Sequence, residues 1–243
     1  MRVAVISDIH ANLHALDSVL AEIDSEEVAA VWCLGDLVGY GPRPNECCDG
    51  VQERADLCLV GNHDLLALDK SVVESDFNPD AAAAGHWTRT VLDEGSRRFL
   101  DGLEPQARTR GAELFHASPR DPVWEYVLSG EAAFTALALT SAPLVLVGHS
   151  HVPLAIVLAG DTLAGGLAPA ETEVDLSEGR WLVNPGSVGQ PRDSDPRAAW
   201  LLLDLEARRA SFRRVAYPIE RTQEEMRERG LPEPLASRLA SGV

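Results

Sequence analysis

Four short polar motifs, each closing an apolar run, constrain this chain more than any other feature. Asp8-Ile9-His10 follows residues 3–6, and Gly35-Asp36-Leu37-Val38-Gly39 follows residues 29–34. Gly61-Asn62-His63-Asp64 follows residues 57–60, and Gly148-His149-Ser150-His151 follows residues 144–147. His116 closes a fifth run, residues 112–115. Short β-branched or aliphatic runs that end in polar residues read as buried strands. Between the first two, Leu13, Leu16, Leu20 and Ile23 recur at helical spacing. Strand, helix, strand is the signature of a parallel α/β sheet. In such sheets the carboxyl ends of the strands face the ligand crevice, so these side chains are expected to meet in space.

The rest of the chain sorts into two textures. Residues 79–103 read as helical, with Trp87, Val91 and Phe99 on one side, and residues 131–139 as a further helix. After His151, segments around 153–158, 171–175, 180–183, 198–204 and 210–216 read as antiparallel strands between Gly, Pro and Asp turns. The C-terminus is helical from Pro218, with a stop at Gly230 and a favourable i,i+4 pair between Glu225 and Arg229. No internal repeat or low-complexity linker interrupts the 243 residues. One domain over residues 1–243 is expected, with a helical tail from about 218 to 243.

Composition narrows the function. The 21 Lys and Arg against 38 Asp and Glu give a formal net charge of −17. General nucleic-acid binding and attachment to an anionic membrane both need a basic face, and neither is expected. No apolar run approaches the roughly 18–20 residues that cross a bilayer. Met1-Arg2 leads directly into a four-residue apolar run, too short for the core of a signal peptide. Cys33, Cys47, Cys48 and Cys58 show no C-x-x-C spacing, so reduced thiols and a cytoplasmic location are expected.

Taken singly, each motif has an ordinary explanation. A strand-end Asp often caps the next helix, and G-D-x-x-G is most often a turn. Gly-Asn-His-Asp fits a tight turn, with Asn tolerating the left-handed region. Gly-His-Ser-His is harder to dismiss, because two histidines two apart invite a metal. Five of the seven histidines fall in the motifs or at His116's strand end. That joint occurrence points to a metal site. Imidazole with carboxylate and amide oxygen, and no thiolate, suits a catalytic ion such as manganese, iron, zinc or nickel better than a structural zinc. Two divalent ions held by two carboxylates would make a cationic focus inside an acidic protein, which suits a phosphate ester.

With these motifs in this order, the sequence resembles the calcineurin-like metallophosphoesterases, and within them a small bacterial branch of phosphodiesterase-like members. Gly35-Asp36-Leu37-Val38-Gly39-Tyr40-Gly41-Pro42, His86-Trp87-Thr88-Arg89, Asn184-Pro185-Gly186-Ser187-Val188-Gly189 and Gly230-Leu231-Pro232 carry the likeness to that branch. The resemblance implies an α/β fold, a four-layer α/β/β/α sandwich of two mixed β-sheets flanked by helices. It also implies a dinuclear centre. Asp8, His10, Asp36 and His151 would hold one ion, and Asp36 would bridge to a second completed by Asn62, His116 and His149. His63 would stand outside the coordination shell as the leaving-group acid, with Asp64 orienting it. Three departures stand out. Gly39-Tyr40 occupies the place where phosphoprotein phosphatases and dinucleoside tetraphosphatases carry Arg. Asp64 replaces the phosphatase Glu, and Ala11 stands where many relatives have Gly.

Outside the motifs, His14 is expected to be an exposed helical residue and His86 to pack beside Trp87. Arg120 and Arg192 are candidate substrate contacts, since guanidinium can grip phosphate with two bonds. The resulting expectation is a phosphodiesterase with two divalent metal ions and a small phosphoester substrate, nucleotides among the candidates. A metal-bridging hydroxide would attack phosphorus in line. A phosphomonoesterase, and a non-catalytic metal-binding scaffold or nucleotide sensor on the same fold, are the alternatives. Retention of His63 with Asp64 favours the enzyme.

Overall fold

The computed structural model describes residues 1–70, 74–109 and 111–243. Twelve strands, numbered in chain order, form two mixed six-stranded sheets. The first contains β1 (Arg2–Ile6), β2 (Ala30–Cys33), β3 (Leu57–Cys58), β9 (Glu173–Asp175), β11 (Ala198–Asp204) and β12 (Arg209–Val215). Its spatial order is β3-β2-β1-β11-β12-β9. The second contains β4 (Gln106–Thr109), β5 (Ala112–Phe115), β6 (Leu144–Val147), β7 (Leu154–Ala159), β8 (Thr162–Leu167) and β10 (Arg180–Asn184). Its order is β4-β5-β6-β10-β7-β8.

Strand alternation builds the layers. Val3 and Val5 of β1, with Leu201 and Leu203 of β11, pack between the sheets against Leu114, Leu146 and Val183 of the second. The intervening Ala4, Ile6, Trp200 and Leu202 face outward onto helices. Those helices are α1 (Leu13–Ser25) and α2 (Pro44–Arg54). Leu16, Val19, Leu20 and Ile23 of α1 lie on that face, and each buried side chain contributes roughly 1.5–3 kcal/mol. On the far side, Ala133, Ala136 and Leu137 of α6 (Gly130–Ala138) cover Val145, Val147 and Leu182. This is the expected four-layer sandwich.

The remaining helices are α3 (Asn62–Leu68), α4 (Pro79–Val91), α5 (Glu94–Asp101), α7 (Ile219–Glu228) and α8 (Glu233–Ser237). The stretch read as one helix over 79–103 is two. Asp93 leaves the helical conformation and its side chain accepts from the Ser96 amide, capping α5. β4 and β8 were not anticipated. β4 presents Gln106, Ala107, Arg108 and Thr109 at a sheet edge, and β8 carries Gly165-Gly166, so neither has an apolar run to announce it. No helix is expected over α3, where the sequence offers a tight turn as one explanation of Gly61-Asn62-His63-Asp64.

The C-terminal tail adds a fourth apolar cluster. Met226, Leu231, Leu235, Ala236 and Leu239 pack on Tyr40, Ala81 and Ala84. A short 3₁₀ turn, Arg238–Ala240, follows α8. Glu225 does not pair with Arg229. It accepts from Arg43 Nε at 2.7 Å and contacts His14 Nε2 at 3.2 Å, joining α7 to α1 and α2. Arg229 lies over the Trp87 ring instead. His14 is therefore half-buried and bonded, while His86 is exposed, the reverse of what was expected of the two.

Candidate functional site

The parallel pairings bring the motifs together. β1 runs parallel to β2 and β2 to β3, while β5 runs parallel to β6 and β6 to β10. Asp8 and His10, Asp36, Asn62 and His63, His116, and His149 and His151 all lie just past carboxyl ends of these strands. The two sheets open their crevice on the same side. Candidate metal-binding groups fall into two buried sets, Asp8, His10, Asp36 and His151, and Asp36, His116 and His149. Asp36 is common to both.

The backbone is bent to place them. Asp8, His10, Asp36, His149 and His151 have φ of 54°, 51°, 55°, 61° and 61°, in the left-handed region that side chains other than glycine rarely occupy. Such strain costs on the order of 1–3 kcal/mol per residue and collects at functional sites. Ala11 shares this conformation, with φ of 51°, one that glycine adopts without strain. Gly61 and Gly148 let backbone approach closely. A Cβ at Gly61 would collide with the Asp36 carboxylate, and one at Gly148 with Ser7 Oγ.

Each inward imidazole is oriented by a backbone carbonyl. His10 Nδ1 donates to Val38 O at 3.1 Å, His116 Nδ1 to Leu34 O at 2.9 Å, and His151 Nδ1 to Gln190 O at 2.6 Å. His149 is turned the other way, with Nε2 donating to Trp124 O at 3.1 Å, and its ring stacks on Tyr126. A carbonyl only accepts, so each outer nitrogen carries a hydrogen, and in a neutral ring the inner nitrogen is left with its lone pair. The inner Nε2 atoms of His10 and His151 are 3.1 Å apart. Asp36 Oδ2 lies 3.6 Å from both His10 Nε2 and His116 Nε2, and has no hydrogen-bond partner. Asn62 Oδ1 lies 3.2 Å from His116 Nε2. Ring nitrogens, carboxyl oxygens and an amide oxygen converging from several sides fit a cation.

Burial sets the protonation states of these side chains. It pushes His10, His63 and His151 far below the usual imidazole range, and His149 down to about 2, so the rings are neutral. Burial also lifts Asp8 to about 7 and raises Asp36 strongly, the nearby Asp64 charge adding to the latter. Buried carboxylates that resist ionisation by themselves ionise readily beside a divalent ion. The cysteines take no part: Cys33, Cys47 and Cys48 are buried in or beside the core, and Cys58 is half-buried.

His63 stands beside the two sets. Its ring packs on His10, Tyr40 and Phe77 with centroids 4.9, 4.3 and 5.0 Å away, and its Nδ1 is buried without a partner. Gly39 is pressed on this ring, since a Cβ there would lie 2.8 Å from Nδ1. Asp64 does not orient the ring as expected. Its two oxygens accept from the amides of Val38 and Gly61 at 3.0 and 2.9 Å, clasping the Asp36 loop to the start of α3. Arg120 pairs with Glu125 at the surface. Arg192 is half-buried at the site, donating to Gln190 Oε1 at 2.9 Å and Tyr40 OH at 3.4 Å. Asn184 holds the second histidine loop through Gly148 O and Ser150 Oγ. Tyr126 and Arg238 were not singled out by sequence, because neither lies in a motif that names its chemistry, and Tyr40 stood out only as a departure from a family Arg.

Comparison with known proteins matches residues 1–208 to the calcineurin-like phosphoesterase superfamily domain. The chain is 37% identical over 246 residues to the uncharacterized protein MJ0912 of Methanocaldococcus jannaschii, covering 99% of this chain and 98% of that one. It is similar to the crystal structure of a metallophosphoesterase from Sphaerobacter thermophilus, with 41% identity and a TM-score of 0.90 over 100% of this chain and 99% of that one. A hypothetical protein, PH1004, from Pyrococcus horikoshii OT3 shares the fold at 20% identity, with a TM-score of 0.79 over 100% and 98% of the two chains. By its sequence over 208 residues and by the fold of the whole chain, this protein belongs to the calcineurin-like phosphoesterase superfamily.

Proposed function

We propose that the chain is a dinuclear metal-dependent phosphodiesterase. Asp8, His10, Asp36 and His151 hold one divalent ion, and Asp36, Asn62, His116 and His149 hold the other. The observation that carries this reading is the shared Asp36, whose partnerless Oδ2 stands 3.6 Å from an inward imidazole nitrogen of each set. Nitrogen and oxygen donors without thiolate suit manganese, iron, zinc or nickel. When bound, such ions polarise phosphoryl oxygens and acidify water near neutral pH.

The residues do the rest. The clasp of Asp64 on Val38 and Gly61 fixes the Asp36 loop relative to His63, so acid and ligands keep one spacing. His63, packed between His10, Tyr40 and Phe77, hands a proton to the departing oxygen. Burial and the Arg192 charge lower the pKa of this ring, and an anionic substrate beside it works in the opposite direction. Tyr40 stands where a monoester phosphatase of the family carries Arg, and a monoanionic diester needs less neutralisation than a dianionic monoester. Bis(p-nitrophenyl) phosphate should therefore be hydrolysed with higher kcat/KM than p-nitrophenyl phosphate in manganese. A monoester preference would contradict the diesterase assignment, and the absence of turnover with either ester would contradict the hydrolase.

A further inference from the structure

Two arginines stand beyond Tyr40 with donors that the chain does not use. Arg238, in the 3₁₀ turn after α8, lies over the face of the Tyr40 ring with its guanidinium carbon 4.9 Å from the centroid. Its Nε and Nη2 are buried without a hydrogen-bond partner. Among the described residues no carboxylate pairs with it within 4 Å, although the Asp80 charge at the start of α4 reaches it. Arg192 comes from a different loop to the edge of the same ring, bonds the Tyr40 hydroxyl, and also leaves Nε buried and unpartnered. The neighbouring acid Asp193 pairs with Arg214 instead.

This arrangement is expensive. Two guanidinium groups crowd each other, and burial together with the Arg192 charge lowers the pKa of Arg238. In a chain with 38 acidic residues, the ordinary outcome for such a pair is a nearby carboxylate. Leaving buried charged donors unpaired costs a desolvation penalty that a bound anion would repay. The Tyr40 ring also packs on His63 at 4.3 Å and on His10 at 4.6 Å, so the pair borders the metal-binding sets. An anion held by the two arginines would lie beside Tyr40, next to the His63 and His10 rings that both guanidinium charges reach.

Resting on the hydrolase reading above, we propose that Arg192 and Arg238 form a clamp for a second phosphoryl group of the substrate, carried on its leaving-group side. The substrate class is then a phosphorylated phosphoester or a nucleoside polyphosphate, rather than a simple diester. Guanidinium suits this task because its planar fork grips phosphate oxygens in pairs. The C-terminal tail thereby completes the site instead of merely covering it. Its apolar residues Leu235, Ala236 and Leu239 fix the turn that carries Arg238.

The test compares AMP with ADP, which share the nucleoside and differ by one phosphoryl group. Each competes with bis(p-nitrophenyl) phosphate on the manganese-loaded enzyme, and each is also scored for thermal protection of the protein as purified. Charge-assisted bonds from the pair should make ADP roughly 10–100-fold tighter than AMP in the native protein. Arg238→Gln should collapse that ratio toward one, with Arg238→Lys retaining part of it. Arg192→Gln gives a second reading should the tail variant fold poorly, as seen from its unliganded melting temperature. An ADP-to-AMP ratio that is the same in native and variant proteins overturns the clamp. A ratio near one in the native protein overturns it too. Absence of turnover would sink the hydrolase reading alone, because the thermal-protection ratio still decides the clamp.

Discussion

Burial holds His10, His149 and His151 neutral, and each gives its ring hydrogen to a backbone carbonyl, so their inner nitrogens need no deprotonation to bind an ion. The carboxylates do. Burial lifts Asp8 to about 7 and raises Asp36 as well, so at pH 6 an incoming ion must displace their protons. Metal affinity should fall as pH drops from 8 to 6, by tenfold or more, with proton release at pH 6. Calorimetry in two buffers of different ionisation enthalpy measures this, and an affinity independent of pH over that range would show that the carboxylates are already ionised. His63→Ala should leave the metal content intact and cost roughly 10²–10⁴-fold in rate. The loss should be smaller for p-nitrophenolate, which leaves without a proton, than for an alkoxide. Equal losses would assign His63 to charge stabilisation, and a lost ion would make it a ligand. Gly61→Ala tests the close approach to Asp36. The Gly61 φ of −109° suits any residue, so only the collision matters. Bound metal and about 1–3 kcal/mol of stability should be lost. Retention of full metal content would show that Asp36 can yield without consequence. The histidines and acids of the site were legible because each closes a strand, which fixes its place in an α/β sheet. Asp64 was misread for a physical reason: a carboxylate beside an imidazole in sequence was claimed by two backbone amides first.

At the scale of elements, the tail is held by a charge cluster that local spacing does not reveal. Glu225 bonds Arg43 and His14, which lie far away in sequence, although Arg229 sits four residues on. The side chain of Glu225 is 19% exposed, so its pairing is partly shielded from water. Glu225→Ala should lower stability by about 1–2 kcal/mol, near the upper range for ion pairs of this kind. Arg229→Ala, which removes only a contact with Trp87, should cost about 0.5 kcal/mol. Melting curves of the two variants measure the difference, and equal losses would restore the i,i+4 pair. The same logic separates the elements that sequence showed from those it did not. β1, β2 and β6 are buried on both faces and read as apolar runs. β4 and β8 lie at the edges of the second sheet, where exposed and glycine-rich residues carry no periodic signal. The turn holding Arg238 follows a five-residue helix stabilised by tertiary contacts with Tyr40, Ala81 and Ala84, which no local pattern encodes.

Across the whole molecule, an acidic chain with net charge −17 gathers its buried imidazoles and two half-buried arginines around one crevice. No helix among the described residues is long and apolar enough to cross a membrane. The strained ligand loops and the unpaired donors are tolerated because twelve strands and their helices hold the crevice from both sheets. Bound ions should repay much of that cost. An ion at a hundred times its Kd stabilises the fold by about 2.7 kcal/mol, so chelation should lower the melting temperature and abolish turnover together, with manganese restoring both. If chelation removes the metal and leaves both unchanged, the ions are incidental. The most direct test of the account is the metal content of Asp36→Asn, measured by elemental analysis beside the native protein. Because Asp36 belongs to both ligand sets, two ions per chain in the native protein should fall at both positions in the variant, with loss of turnover. Two ions retained in a folded Asp36→Asn protein would contradict the shared-carboxylate centre.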